Sequence, residues 1–135
     1  MITILLTLTL TCSLPLYAPM EKVLYIQKED PINPYLGLSK AIDKVETNCN
    51  PLAVGDKHLK SWSYGIKQIR QIKLDWYNMK TGKHYTLKDC FNEEISQEIF
   101  MYHCMHYITL ETSAKRWNGS GSATLIYWNK VKKLL

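Results

Sequence analysis

The hydrophobic positions of this chain recur at helical spacing along most of its length. Leu38, Ala41, Ile42 and Val45 follow the i, i+3, i+4, i+7 rule, which places them on one stripe of a helix predicted from Tyr35 to Thr47. Asn48 and the Asn50-Pro51 pair end that helix. Pro51 to Tyr64 is rich in Gly, Asp, Ser and His and reads as loop. A second helix is predicted from about Gly65 to Lys80, with Ile66, Ile69, Ile72 and Trp76 facing inward and Thr81-Gly82 as its stop. A connection over Lys83–Phe91 leads to a third helix from about Asn92 to Leu110. Asn92 is its N-cap, and Glu93 and Glu94 suit the positive end of its dipole. On this helix Ile95, Ile99, Tyr102 and His106 share a face. Arg116 to Ser122 is a loop, and a last helix starts at Ala123 with Ser122 as cap. Its Ala123, Ile126, Tyr127, Lys130, Val131 and Leu134 make an amphipathic pattern. No segment alternates convincingly with the two-residue period of a strand, and no internal repeat occurs. The expected fold class is therefore all-α, a small single helical domain.

The first eighteen residues, Met1 to Ala18, differ in kind from the rest. They carry no charged side chain and are dominated by Leu, Ile and Thr, as in a secretory signal peptide. Ala18 is the small residue at which cleavage is expected, although Pro19 behind it disfavours the cut. The alternative is an uncleaved membrane anchor, but the run is broken by Pro15 and falls short of the ~20 apolar residues of a span. Cys12 follows Thr-Leu-Thr, a poor match for a lipid-anchor signal. Residues 19–34 are expected to form an N-terminal arm in which Pro31 and Pro34 bracket a turn, leaving 35–135 as the domain. The expected location is outside the cytoplasm, periplasmic or extracellular, with membrane attachment through the leader if it stays in place.

The net charge of +5 lies wholly beyond the leader and suits an anionic partner such as a cell-wall polymer. The lysines are scattered over solvated helix faces, and Lys130, Lys132 and Lys133 complement a helix C-terminus. No nucleic-acid partner is expected, and the chain is expected to be a monomer. Cys49, Cys90 and Cys104 follow the leader, an odd count that permits at most one disulfide among them. Cys90 and Cys104 lie too far apart to bond along a straight helix, so any bridge would have Cys49 as a member, tying the active loop to the third helix. His103 and His106 lack a third ligand at a familiar spacing, and no His-Glu-x-x-His occurs. Neither a metal nor a cofactor is expected.

One carboxylate stands out by position. Glu46 follows Val45 at the edge of the first stripe, near a helix C-terminus where the dipole disfavours a second negative charge. Burial beside Val45 would act in the same direction. Both raise a carboxyl pKa, as a general acid working near neutral pH requires. A helical Glu taken alone is ordinarily a solvated residue, so its company decides.

That company forms three blocks. They are Val45-Glu46-Thr47 with Asn50-Pro51 and Ala53-Val54, then Ser63-Tyr64-Gly65-Ile66-Lys67-Gln68-Ile69, then Arg116-Trp117-Asn118-Gly119-Ser120-Gly121. In this order and spacing they resemble the lytic transglycosylase (SLT) domain of the lysozyme-like superfamily, related to goose-type lysozymes. The resemblance runs from about Leu38 to Val131. It implies a lysozyme-like fold with a substrate cleft and Glu46 as catalytic acid and base. Glu46 would protonate the glycosidic oxygen between N-acetylmuramic acid and N-acetylglucosamine in peptidoglycan. It would then take the proton of the muramoyl 6-hydroxyl, closing a 1,6-anhydro ring. The substrate's own acetamide assists, so a single carboxylate suffices. The resemblance further implies a substrate-binding set of Thr47, Ser63, Gly65, Gln68, Trp117, Asn118 and Tyr127. In it Gln68 and Asn118 meet sugar amides, and Gly65 lets the backbone approach the ligand. Trp62, Tyr64 and Trp117 are expected to stack on sugars, and Trp76 and Trp128 to form core or groove wall. Asn118-Gly119-Ser120 also reads as a glycosylation acceptor.

The departures from the pattern are specific. Thr47 stands in place of Ser, Lys67 in place of an apolar residue, and Trp117 in place of a Tyr whose hydroxyl would lie near the acid. Gly55-Asp56 replaces a serine-containing stretch. Asp56 is thus a second candidate carboxylate, able to position water if it reaches the cleft, or else a turn residue bonding its own backbone. The expected activity is a peptidoglycan lytic transglycosylase acting on glycan strands, in the service of a phage, secretion or conjugation apparatus. The alternatives are a muramidase using the same Glu46, or a non-catalytic glycan-binding or structural module.

Overall fold

Asn33 caps the first helix, its side chain accepting from the Tyr35 N–H at 3.0 Å with Pro34 behind it in the first turn. The computed structural model describes residues 33–135, so the leader and nearly all of the arm lie outside the described residues. Among the described residues no helix is long and apolar enough to cross a membrane. The elements are α1 (Pro34–Thr47), β1 (Val54–Gly55), β2 (Ser63–Tyr64), β3 (Ile69–Arg70), α2 (Gln71–Thr81), a 3-10 turn (Asp89–Phe91), α3 (Glu93–Cys104), α4 (Leu110–Asn118) and α5 (Ala123–Lys132). The chain is mainly helical, as expected, with one small sheet of order β1-β2-β3. Both pairings are antiparallel, Val54 opposite Tyr64 and Tyr64 opposite Ile69.

The first helix matches its prediction and ends at Asn48, which adopts φ 54° and returns its N–H to Asp43 and Lys44. The second helix departs from expectation. It begins at Gln71, not Gly65, because Gly65 (φ 73°) and Gln68 (φ 52°) take left-handed backbone that no helix tolerates. The residues between them form a turn, and Ile69-Arg70 pair with β2 instead. Ile66 and Ile69 are buried all the same, from the turn and the strand. Ile72, expected inward, is 76% exposed, and Leu74 and Tyr77 take the inner face.

The third predicted helix is two. α3 stops at Cys104, and Thr109 caps a separate α4 by accepting from Thr112 N at 3.1 Å. Arg116 to Asn118, read as loop, therefore close a helix. Ser122 precedes α5 without making a side-chain cap bond. In α5, Tyr127, Trp128 and Val131 are buried, while Ile126 and, past the helix end, Leu134 are exposed. No disulfide joins the described cysteines: Cys49 is exposed, and Cys90 and Cys104 are buried thiols pushed up to about 12 by burial. The one bridge the cysteine count allowed, with Cys49 as a member, does not form: Cys90 and Cys104 are packed into the core as thiols.

α1 lies against α3, α4 and α5. Leu38, Ala41 and Ile42 meet Ile99, Phe100, Trp117 and Val131 in the core, with Phe100 and Trp117 edge to face at 5.0 Å. Into this core the 65–68 turn sends Lys67, 1% exposed. Its ammonium pairs with Asp43 at 2.6 Å, donates to Ser39 O at 2.8 Å and lies 4.6 Å from the Phe100 ring centre. Trp117 Nε1 donates to the Lys67 carbonyl at 3.2 Å. One residue thereby ties the turn to α1, α3 and α4.

A charge desolvated this far needs its partner. Asp43→Ala is expected to destabilise the domain by about 3–5 kcal/mol, read as a lower urea midpoint at unchanged slope.

Candidate active site

Glu46 is the penultimate residue of α1, half-buried where the helix meets the sheet and the end of α4. It lines a recess of about 250 Å3 with Asp56, Gln68, Arg70, Ile72, Lys73, Trp117, Asn118 and Gly119. Three stretches distant in sequence thus meet here: the end of α1, the segment from β1 to the start of α2, and the end of α4. A larger hollow of about 460 Å3 between α4 and the 119–124 loop is lined by the partly exposed Glu111–Lys115 pair and by Arg116, with a single carboxylate that is already paired. Exposed ion pairs of that kind carry little chemistry.

Tyr127 reaches Glu46 from α5 and donates its hydroxyl to Oε1 at 2.8 Å. Burial pushes the Glu46 carboxyl above its ordinary range, and this outweighs the Tyr127 hydrogen bond and the positive charge of Lys73, both of which pull it down. The direction is the one expected. The Tyr127 hydroxyl is itself pushed up, first by burial and then by the Glu46 charge, so it remains a donor at any working pH. Tyr127 therefore orients the acid and is not placed as a sugar contact.

Asp56 reaches the recess too. It lies in left-handed backbone at φ 55°, and its Oδ2 accepts from Arg70 Nε at 3.0 Å and Nη2 at 2.7 Å. Burial pushes its carboxyl up, but the Arg70 contacts prevail and leave it below the usual range. It is a clamped carboxylate facing the cleft, not a turn residue bonded only to its own backbone. Asn118 ends α4 exposed at the recess rim, and among the described residues its amide has no hydrogen-bond partner, which leaves it free for a ligand.

Other members of the expected binding set are engaged inside the protein. Gln68 lines the recess, yet its Oε1 accepts from Ser63 Oγ at 2.6 Å and its Nε2 donates to Gly65 O at 3.0 Å. Gly55 makes room for this, since a Cβ there would fall 1.9 Å from Gln68 Oε1. Ser63 is 1% exposed and supports Gln68 from within. Thr47 Oγ1 lies 3.2 Å from the carbonyls of Asp43 and Ile66 and fastens the helix end to the turn. Gly65 does not serve ligand approach. Its missing Cβ admits the Cys90 carbonyl, which would lie 1.8 Å from a methyl group. Trp117 is 3% exposed, packed against Phe100 and His103 and covered by the Lys73 ammonium at 3.7 Å. Its indole is wall, not a stacking platform. Trp62 and Tyr64 line a separate hollow with Gln71 and Leu87 that shares no residue with the Glu46 recess. Trp76 forms groove wall beside His103 and Tyr107, and Trp128 is core, both as expected.

The sequence reading missed Arg70 and Lys73. Within a helix running from Gly65 they were two ordinary solvated cations. Starting the helix at Gln71 places one on the last strand and the other in the first turn, both lining the recess with Glu46. The left-handed need of Gly65 was the available signal. No protein-family model, curated protein or solved structure matches the chain.

Gly65→Ala combines left-handed strain with a backbone clash, and a loss of about 3 kcal/mol or more is expected in a denaturation series. Tyr127→Phe removes a donor to the charged form of Glu46. The Glu46 pKa is expected to rise by about one unit in a carboxyl NMR titration.

Proposed function

We propose that the chain cleaves the β-1,4 bond between N-acetylmuramic acid and N-acetylglucosamine in peptidoglycan, as a lytic transglycosylase of lysozyme-like type with Glu46 as acid and base. The observation that carries this reading is the setting of Glu46: a carboxyl raised by burial, oriented by Tyr127 and open to a recess whose rim bears the free amide of Asn118. A general acid needs a carboxyl pKa raised toward neutral pH and a fixed direction; burial moves Glu46 that way and Tyr127 fixes it. The three sequence blocks resembling the transglycosylase domain supply the substrate class. The Tyr127 hydroxyl also occupies a place that the resemblance left empty, since Trp117 stands where a hydroxyl near the acid is expected.

In the proposed reaction the Glu46 proton moves to the glycosidic oxygen as the bond to the anomeric carbon breaks. The 2-acetamido group supports that carbon while positive charge develops. The resulting Glu46 carboxylate then takes the proton of the 6-hydroxyl, whose oxygen closes onto the anomeric carbon. Asn118 is positioned to bind the glycan, and Gln68 acts by holding the recess wall. A peptidoglycan strand is the partner in this reading, reached outside the cytoplasm by an exported chain that opens the wall locally for a phage, secretion or conjugation apparatus.

Asp56 supports a second reading. A clamped, ionised carboxylate in the same recess can orient a water, which would replace the 6-hydroxyl as acceptor and make the enzyme a muramidase. Mass analysis of digested peptidoglycan separates the two. Fragments ending in 1,6-anhydromuramoyl residues are expected from the wild type and from Asp56→Asn alike. Reducing ends alone would establish hydrolysis, and no soluble fragments at all would refute both readings.

The acid works only when protonated, so the release rate is expected to hold at pH below the raised Glu46 pKa and to fall tenfold per unit above it. Initial rates across a buffer series of constant ionic strength measure this limb.

A further inference from the structure

We propose that Lys73 is a positioning residue for Glu46, presenting from the first turn of α2 a fixed ammonium that stabilises the carboxylate left when Glu46 gives up its proton. The inference rests on the reading of Glu46 as the acid and adds to it a residue that no sequence block contains. Lys73 lines the same recess as Glu46. Its Nζ lies 3.7 Å from the Trp117 ring centre and donates to the Trp117 carbonyl. α4 thus sets the position of the charge, so the side chain does not have to be ordered during the reaction.

The other charged and titratable groups of the recess are already committed. Arg70 and Asp56 pair with each other at 2.7 Å. Tyr127 comes from α5 and is a neutral donor to Glu46. His103 of α3, behind Lys73 and against Trp117, is held neutral, its pKa brought to about 4 by burial. The Cys104 thiol, which also feels Lys73, stays protonated with its pKa pushed up to about 12 by burial. Among the described residues, Lys73 is then the cleft cation without an ion pair and Glu46 the cleft carboxylate without one. Their influence is mutual. Burial brings Lys73 down to about 8, and the Glu46 charge opposes that fall. Lys73 in turn draws Glu46 down against its own burial. At about 8, the ammonium is charged at neutral pH and below. In the reaction Lys73 keeps its proton throughout, and only the Glu46 proton moves.

A lysine serving merely to tie α2 to α4 would leave the acid's titration unchanged, and this separates the two roles. The test titrates the Glu46 carboxyl by 13C NMR in the full chain, for wild type, Lys73→Met and Lys73→Arg, beside the pH profile of fragment release. Lys73→Met is expected to raise the Glu46 pKa by about one unit or more. The alkaline limb of the profile should move upward by the same interval, with a several-fold lower plateau. Lys73→Arg should restore the wild-type pKa, because it restores the charge. The reciprocal titration covers the case in which Lys73→Met does not fold: in Glu46→Gln the Lys73 ammonium, followed by its side-chain NMR signals, should fall below about 8. An unchanged Glu46 pKa in folded Lys73→Met, or an unchanged Lys73 pKa in Glu46→Gln, overturns the proposal. A protein that shows both shifts but releases no fragments contradicts the reading of the site and not the coupling, so the two failures are distinguishable.

Discussion

The structure depends on a lysine placed where an apolar side chain would be expected. Lys67 carries its charge into the core, and everything near it is arranged to receive that charge: Asp43 and Ser39 on α1, the Phe100 face on α3, and the Trp117 indole bonded to its carbonyl. A desolvated ammonium is costly unless its partners stand at hydrogen-bond distance. The turn can therefore occupy only one position relative to α1 and α4. Glu46, a residue on from Val45 and three beyond Asp43, is set by the same constraint. So is Gln68, which follows Lys67 directly and is held by Ser63 and the Gly65 carbonyl.

Two kinds of polar group result. Those close to Lys67 are satisfied internally and act as framework: Thr47, Ser63, Gln68 and the Trp117 N–H. Others face the recess: Glu46, Asn118 and Lys73, with the Arg70–Asp56 pair beside them. The site is a thin layer of unspent chemistry on a heavily cross-bonded support. This is the arrangement in which a carboxyl can be raised by burial and still be reached by a ligand.

Much of the fold was legible in periodicity. The α1 stripe, the Asn92 cap of α3 and the start of α5 stand where the pattern of apolar positions put them. The failures share a cause. Helix spacing continues through Gly65–Arg70, but Gly65 and Gln68 take left-handed backbone that periodicity does not register, so a turn and a strand were read as helix. The break after Cys104 contains neither Gly nor Pro, and only the Thr109 cap marks it. Of the site, Glu46, Asp56 and Asn118 were legible and do line the recess. Ser63, Gly65 and Trp117 were legible as important positions, but the need they meet is packing: against Gln68, against the Cys90 carbonyl, and against Phe100. Lys73 was invisible because its facing depends on where α2 begins.

The proposed chemistry resides in one carboxyl group. The direct measurement is the rate at which purified Glu46→Gln releases soluble glycan fragments from peptidoglycan, against wild type of equal thermal stability. The amide keeps the shape and still accepts from Tyr127 but has no acidic proton to give. A single essential acid predicts a loss of about 10³-fold or more. A Glu46→Gln protein that clears the wall at a rate near wild type would contradict it.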